Sequence, residues 1–275
     1  MHIEDLTHFQ PAATEPAARL RDAIALMKLH RVHHLMVREA DQLVGILSTH
    51  DFPNAGVPVQ HFDHDQFSQI THHVRVDEIC SKRVITIDVC DRVEKAIWKM
   101  FHKQVHALVV VRDETPVGIV TDTDIFHAFV LQDMTHESPP LVADFMTPCP
   151  MVVHCDDRLT DADELMSNRK LRHLPVFQND GLLMGVLSQS DVRVGRHWMQ
   201  EHPDDDLSVY SVMGQRIVQV KKYDHLETAL RATIAHQVGC VLVVDYDLEG
   251  ILTRQDLLKA MFDLWNSSAT VQTIH

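Results

Sequence analysis

No stretch of this chain approaches the roughly 18 consecutive apolar residues that a membrane-spanning helix requires. The best runs, such as Ala107 to Val111 and Val241 to Val244, are strand-sized, so no membrane location is expected. The opening Met1-His2-Ile3-Glu4-Asp5 is acidic and lacks the basic, then apolar plan of a secretory signal. Cysteine is sparse: Cys80, Cys90, Cys149, Cys155 and Cys240 form no CxxC pair and leave one odd thiol. That set fits a reducing, cytoplasmic compartment, with the cysteines acting mainly as small core hydrophobes. Positive charge is also scarce, 25 Lys and Arg against 39 Asp and Glu, for a net charge of −14 with His neutral. Nucleic acid binding needs clustered cations, so the balance argues against it, although a local pocket could still hold a small anion. No P-loop, GxGxxG, HExxH or GxSxG pattern occurs, so no catalytic residue is nominated and no enzymatic activity is expected. The 21 histidines are scattered. Adjacent pairs such as His33-His34 and His72-His73 would point to opposite faces of an extended chain, so no metal site is expected.

What the chain does have is repetition. Four segments end alike: Gly45 to Asp51, Gly118 to Asp124, Gly185 to Asp191 and Gly250 to Asp256, each Gly-x-x-Ser/Thr-x-x-Asp. Upstream of each lies a helical ruler of residues at i, i+3 and i+7: Leu20, Ala23, Met27; Val93, Ala96, Met100; Leu159, Ala162, Met166; and Leu226, Ala229, Thr233. From the ruler's Ala to the signature Gly the separations are 22, 22, 23 and 21 residues. The methionines at helical spacing are read as core residues. Between ruler and Gly runs an apolar, strand-like stretch: Leu35 to Val37, Leu108 to Val111, Leu174 to Phe177 and Val241 to Val244. A short extended segment precedes each helix, clearest at Val84 to Ile87 and Met151 to Val153. The fold class is therefore α/β, with strand, helix, strand, strand and a second helix opening at each Ser/Thr. The repeats are drawn at residues 1–56, 74–134, 141–197 and 207–265. One such unit has too small a core to be comfortable alone, so repeats should pair. The polar stretch Gln132 to Pro140 is the expected boundary between two pairs, and His202 to Asp206 a surface linker.

The signature supports two jobs. Ser/Thr-x-x-Asp at a strand-to-helix junction resembles a capping box, with the Gly allowing a tight turn or a close backbone approach. The same atoms suit a nucleotide. A helix N-terminus with a hydroxyl receives phosphate, and an Asp one turn on accepts hydrogen bonds from both ribose hydroxyls.

On these residues the chain resembles the cystathionine β-synthase (CBS) domain family. Besides the four signatures, Leu171-Arg172-His173-Leu174-Pro175-Val176 resembles the family's entry to its second strand. Asp144-Phe145-Met146-Thr147-Pro148 resembles a CBS opening. The resemblance implies four β-α-β-β-α repeats paired into two tandem modules. It also implies clefts that bind adenosine nucleotides, with Ser/Thr on phosphate and Asp on ribose. Four repeats in one chain are similar to the nucleotide-sensing γ subunit of AMP-activated kinase. By that likeness the candidate ligand residues are Ser48 and Asp51, Thr121 and Asp124, Ser188 and Asp191, and Thr253 and Asp256. Basic positions before the second strand add His33, His34, His106, Arg172 and His173, while the fourth repeat has Gly239-Cys240 there and offers Arg254 instead. The family's first-strand Thr is matched by Thr86 alone, with Ala13, Val152 and Gln219 in the equivalent places. Asp122 would burden the second site with negative charge unless a neighbouring cation compensates. One or two occupied sites are expected, the third repeat first and the second next. The expected ligand is AMP, ADP or ATP, with no resident cofactor, and binding would change module packing and report to a protein target. Four repeats could close within one chain or two chains could pair; a homodimer is expected. The alternative is an interaction scaffold in which the signatures are only helix caps.

Overall fold

The computed structural model describes residues 1–40, 42–58, 68–131, 139–203 and 205–271. Of the expected pair boundary, Gln132 to Pro140, residues 132–138 lie outside the described residues, as does Asp204 in the acidic run.

Each ruler begins an 11-residue helix at its first residue: Leu20–His30, Val93–Lys103, Leu159–Arg169 and Leu226–His236. All twelve ruler residues are buried, none more than 2% exposed. Thr233 is tolerated in the core because its hydroxyl donates to the Ala229 carbonyl at 2.8 Å, so no polar atom is stranded. Every one of these helices ends on a non-glycine residue in the left-handed region: Arg31, Gln104, Lys170 and Gln237, with φ between 52° and 55°. A Cβ is disfavoured there. Replacing the exposed Lys170 by Gly should therefore stabilise the protein by about 1 kcal/mol, read as a higher urea midpoint.

After each helix comes an antiparallel strand pair: His34–Glu39 with Gln42–Ser48, Ala107–Arg112 with Thr115–Thr121, His173–Phe177 with Leu183–Ser188, and Cys240–Val244 with Leu248–Thr253. In all four a register shift follows the residue that faces the signature Gly: Val37, Val110, Val176 and Val243. The short strands before the helices, Ala13–Thr14, Thr86–Asp88, Val153–His154 and Gln219–Val220, pair in parallel with the central strand. The second helix is α-helical in three repeats, at Asp122–Leu131, Gln189–Glu201 and Arg254–Val271. In the first it is a 3-10 helix, Thr49–Ala55, where Pro53 removes a donor and Gly56 ends the turn at φ 71°.

The opening of each repeat does not complete its own repeat. Ile3 joins the core of the second repeat, and His8–Phe9 pairs with Thr115–Thr121. Val76 and Ile79 join the core of the first, with Ser81 bridged to Ile46. Val142 and Thr147–Pro148 serve the fourth repeat, and Val209, Met213 and Gly214 serve the third. The signature glycines are the seats of these crossings. A Cβ on Gly118 would meet Thr7 and the His8 carbonyl oxygen, and one on Gly185 would meet the Gly214 carbonyl oxygen. The close backbone approach, not a turn, is what requires glycine there.

The chain divides into two compact units. One comprises Met1–Gln10, Ile85–Pro150 and Ile217–His275, the other Pro11–Val84 and Met151–Arg216. The second and fourth repeats thus share one unit, with a single apolar core that includes Ile97, Phe126, Leu230 and Leu257. The first and third share the other, each keeping its own core cluster. Cys155 and Cys240 are buried and Cys80 packs partly buried against the first repeat's core, whereas Cys90 and Cys149 are exposed. No helix among the described residues is long and apolar enough to cross a membrane.

Candidate functional site

The signature geometry is the same in every repeat. The backbone N–H of Ser48, Thr121, Ser188 and Thr253 donates to Oδ2 of Asp51, Asp124, Asp191 and Asp256 at 2.7–2.8 Å. The four hydroxyls donate to the same oxygens at 3.0, 2.6, 2.7 and 2.7 Å. In the second, third and fourth repeats the Asp N–H returns to the hydroxyl at 3.3 Å, which closes a capping box with Asp in place of Glu. The residue after each hydroxyl donates its N–H to the carbonyl of the residue two before the core strand's first apolar position. Those contacts are Thr49 to His33, Asp122 to His106, Gln189 to Arg172 and Arg254 to Gly239, at 2.9–3.1 Å. His33, His106 and Arg172 are thereby brought against their signatures. In the ladder His34 faces Ser48 and His173 faces Ser188, whereas Ala107 and Cys240 face the other two hydroxyls. Thr86 lies opposite Val109, two residues past Ala107, and is exposed, as is Val152.

In the unit of the first and third repeats, Arg172, Arg193 and Arg196 lie near one another, and Arg193 lies near the half-buried Asp51. Burial pushes the Asp191 carboxyl up to about 6, against the hydrogen bonds from Ser188. Burial raises Asp51 as well. Burial lowers the guanidinium pKa of Arg172, and that of Arg193, which Asp51 attracts and Arg172 and Arg196 repel. Arg193 was not nominated from sequence, because it lies two residues past the signature. Its hydrogen-bond acceptors among the described residues are neutral: the Asn54 side-chain oxygen and His50 carbonyl at 3.3 Å, and the Ser190 hydroxyl at 3.1 Å. Its Nε is buried with no acceptor among the described residues. The helix Gln189–Glu201 and the 3-10 helix Thr49–Ala55 pack together there, with a Cβ on Gly56 excluded by the His197 ring. A separate cleft of about 460 Å³ in this unit is lined by Glu15, Arg38, Arg75, Asp77, Cys80 and Lys82 among others, and no signature residue reaches it.

The unit of the second and fourth repeats is arranged differently. Arg254 of the fourth repeat reaches across to the second. Its Nε donates to Asp122 Oδ2 at 2.8 Å and its Nη2 to Asp122 Oδ1 at 2.6 Å and to the Thr123 hydroxyl at 2.6 Å. Its guanidinium lies over the Phe126 ring, 5.0 Å from the centroid. His106 Nδ1 is 2.8 Å from the same carboxylate. Asp122 is 3% exposed. Burial alone would raise its pKa, but Arg254 and His106 outweigh that and hold the carboxyl well below the usual range. The charge that sequence reasoning placed against the second site is thus neutralised, by a residue 132 positions away. Asp124 is also engaged on its other oxygen, 2.7 Å from Nε2 of the exposed His8. Among the described residues no group of three or more His, Cys, Asp or Glu is placed to hold a metal ion.

Comparison with known proteins gives one family. The CBS domain model matches residues 3–55, 76–131, 142–194 and 209–263. The uncharacterised protein MJ1225 of Methanocaldococcus jannaschii is 25% identical over 265 residues, covering 89% of this chain and 92% of its own. An uncharacterised 17.7 kDa protein of Acidianus ambivalens is 31% identical over 119 residues, 43% of this chain and 70% of its own. The crystal structure of MJ1225, described as a candidate archaeal homologue of g-AMPK, matches with a TM-score of 0.69 at 21% identity, covering 95% of this chain and all of that one. An uncharacterised conserved protein of Pyrococcus horikoshii matches at 0.60 and 17% identity, covering 94% of this chain and 99% of that one. At those identities the likeness shows the fold.

Proposed function

Since the chain belongs to the CBS domain family, with four copies of the domain, we propose that it is a regulatory protein that binds an adenosine nucleotide (AMP, ADP or ATP). The principal site is at the third repeat. Asp191 takes the ribose hydroxyls, while Ser188 and the start of the helix Gln189–Glu201 take phosphate. Arg172 and His173 beside the strand, and Arg193 from the helix, supply the countercharge. One observation carries this reading: Arg193 is partly buried, and among the described residues its hydrogen-bond acceptors are neutral and its buried Nε has none. A buried guanidinium in that condition is stabilised by an incoming anion. Binding shifts the population of packing arrangements, which a protein partner reads. No catalytic step is assigned to any residue.

Calorimetry with AMP, ADP and ATP tests the proposal. Arg193→Ala should weaken the bound nucleotide by tenfold or more, since a charge-assisted hydrogen bond contributes about 1.5–3 kcal/mol. Absence of binding by the unaltered protein to all three would sink it. The scaffold reading has its own supporting observation, because the carboxylates accept from their own hydroxyls in all four repeats. Under that reading Arg193→Ala changes stability only.

A further inference from the structure

The position after the signature hydroxyl is Thr49 in the first repeat, Asp122 in the second, Gln189 in the third and Arg254 in the fourth. In the unit of the first and third repeats this position is neutral twice. In the unit of the second and fourth it carries opposite charges, and these find each other. Asp122 accepts a two-pronged contact from Arg254 and a third hydrogen bond from His106. Those two side chains are the hydrogen-bond donors that the second and fourth signatures have at hand for a phosphate. The Arg254 side chain is 14% exposed and that of Asp122 only 4%, so the pair is largely shielded from water. A carboxylate held by one guanidinium and one imidazole presents those donors with the same contacts a phosphate would.

We propose that Asp122 is a specificity-determining residue: an internal anion that bars phosphate from the second and fourth signatures and directs phosphate-bearing ligands to the other unit. The unit of the second and fourth repeats then admits only adenosyl ligands that lack a phosphate. This inference rests on the nucleotide reading of the signatures, but the lock itself answers to any small anion.

The test uses the full chain and two probes, inorganic phosphate and AMP. Asp122→Asn frees Arg254 and His106 in a buried site. It should gain phosphate-dependent stabilisation that the unaltered protein lacks, a rise in Tm of about 4 °C or more at saturation. It should also bind one further equivalent of AMP by calorimetry, and Arg254→Met in the same background should remove both gains. If Asp122→Asn folds but gains neither, the lock is overturned. Should it fail to fold in phosphate-free buffer, recovery on adding phosphate supports the lock. Failure to recover overturns it, provided that the neutral pair Asp122→Thr with Arg254→Gln folds normally. The two readings fail separately. Phosphate stabilisation of Asp122→Asn alongside an unaltered protein that ignores AMP, ADP and ATP sinks only the nucleotide reading. AMP binding by the unaltered protein with no gain in Asp122→Asn sinks only the lock.

Discussion

Asp191→Asn is expected to make the protein more stable at pH 7 and to cost it most of its nucleotide affinity. Burial raises the Asp191 carboxyl to about 6 in the folded state, against an ordinary value near 4 in the unfolded chain. Between those values the folded state binds more protons than the unfolded one, so stability declines as pH rises from about 4 to about 6 and stays lower above that. A shift of about two units corresponds to roughly 3 kcal/mol. Asn carries no charge at any pH and keeps a carbonyl oxygen for the Ser188 N–H and hydroxyl. The variant should therefore lose the pH slope and gain roughly 1–3 kcal/mol at pH 7, measured by urea unfolding at pH 4.5 and 7. Its AMP affinity should drop tenfold or more, because one of two ribose acceptors is lost. A loss of about 1 kcal/mol with the pH profile unchanged would mean that Asp191 is only a cap.

Arg254→Met carries the other large effect. It strands the Asp122 carboxylate, which is 3% exposed, beside His106 alone. Removing one partner of a buried ion pair costs about 3–5 kcal/mol, and the unit's shared core should unfold at correspondingly lower denaturant. In the unaltered protein the Asp122 carboxyl lies below its ordinary value, so the pair's contribution is present above about pH 4 and is lost as pH falls from there through the depressed folded value. The variant should reverse this, since an unpaired buried carboxyl prefers its proton, and its deficit should shrink toward pH 4. Removing the charge as well, with Asp122→Asn in the same chain, should recover most of the loss; additive losses would show that the two residues do not interact. The two carboxylates thus give the two units opposite responses to acid.

Much of this was legible because it is local. Ala23, Ala96, Ala162 and Ala229 lie at helical spacing from their partners, and that period fixes which face is buried. The hydroxyl–carboxylate contacts span three residues, so the signature states them outright. The rest is long-range or counter to propensity. Nothing near Arg254 in sequence indicates Asp122 as its partner, and a cation beside a signature reads naturally as a phosphate ligand. Arg193 falls outside the repeated pattern, so repetition hid it. Lys170 and Gln237 end helices where glycine is the usual signal, and Pro53 turned an expected α-helix into a 3-10 turn. The openings look alike in composition, so their own residues do not say which repeat each completes.

That crossing of the openings bears on how the chain is born. Residues 1–10 are synthesised well before Thr115–Thr121, the strand they finally lie beside. At ordinary elongation rates of about 5–20 residues per second, that is a wait of roughly 5–20 s. Residues 76–81, by contrast, reach a first repeat that is already translated. The first repeat can therefore close as soon as its guest arrives, while Ile3 and Leu6 remain apolar and unhoused until the second is complete. A nascent chain stalled near residue 100 should expose those two side chains to a holding chaperone, and one released past residue 131 should not.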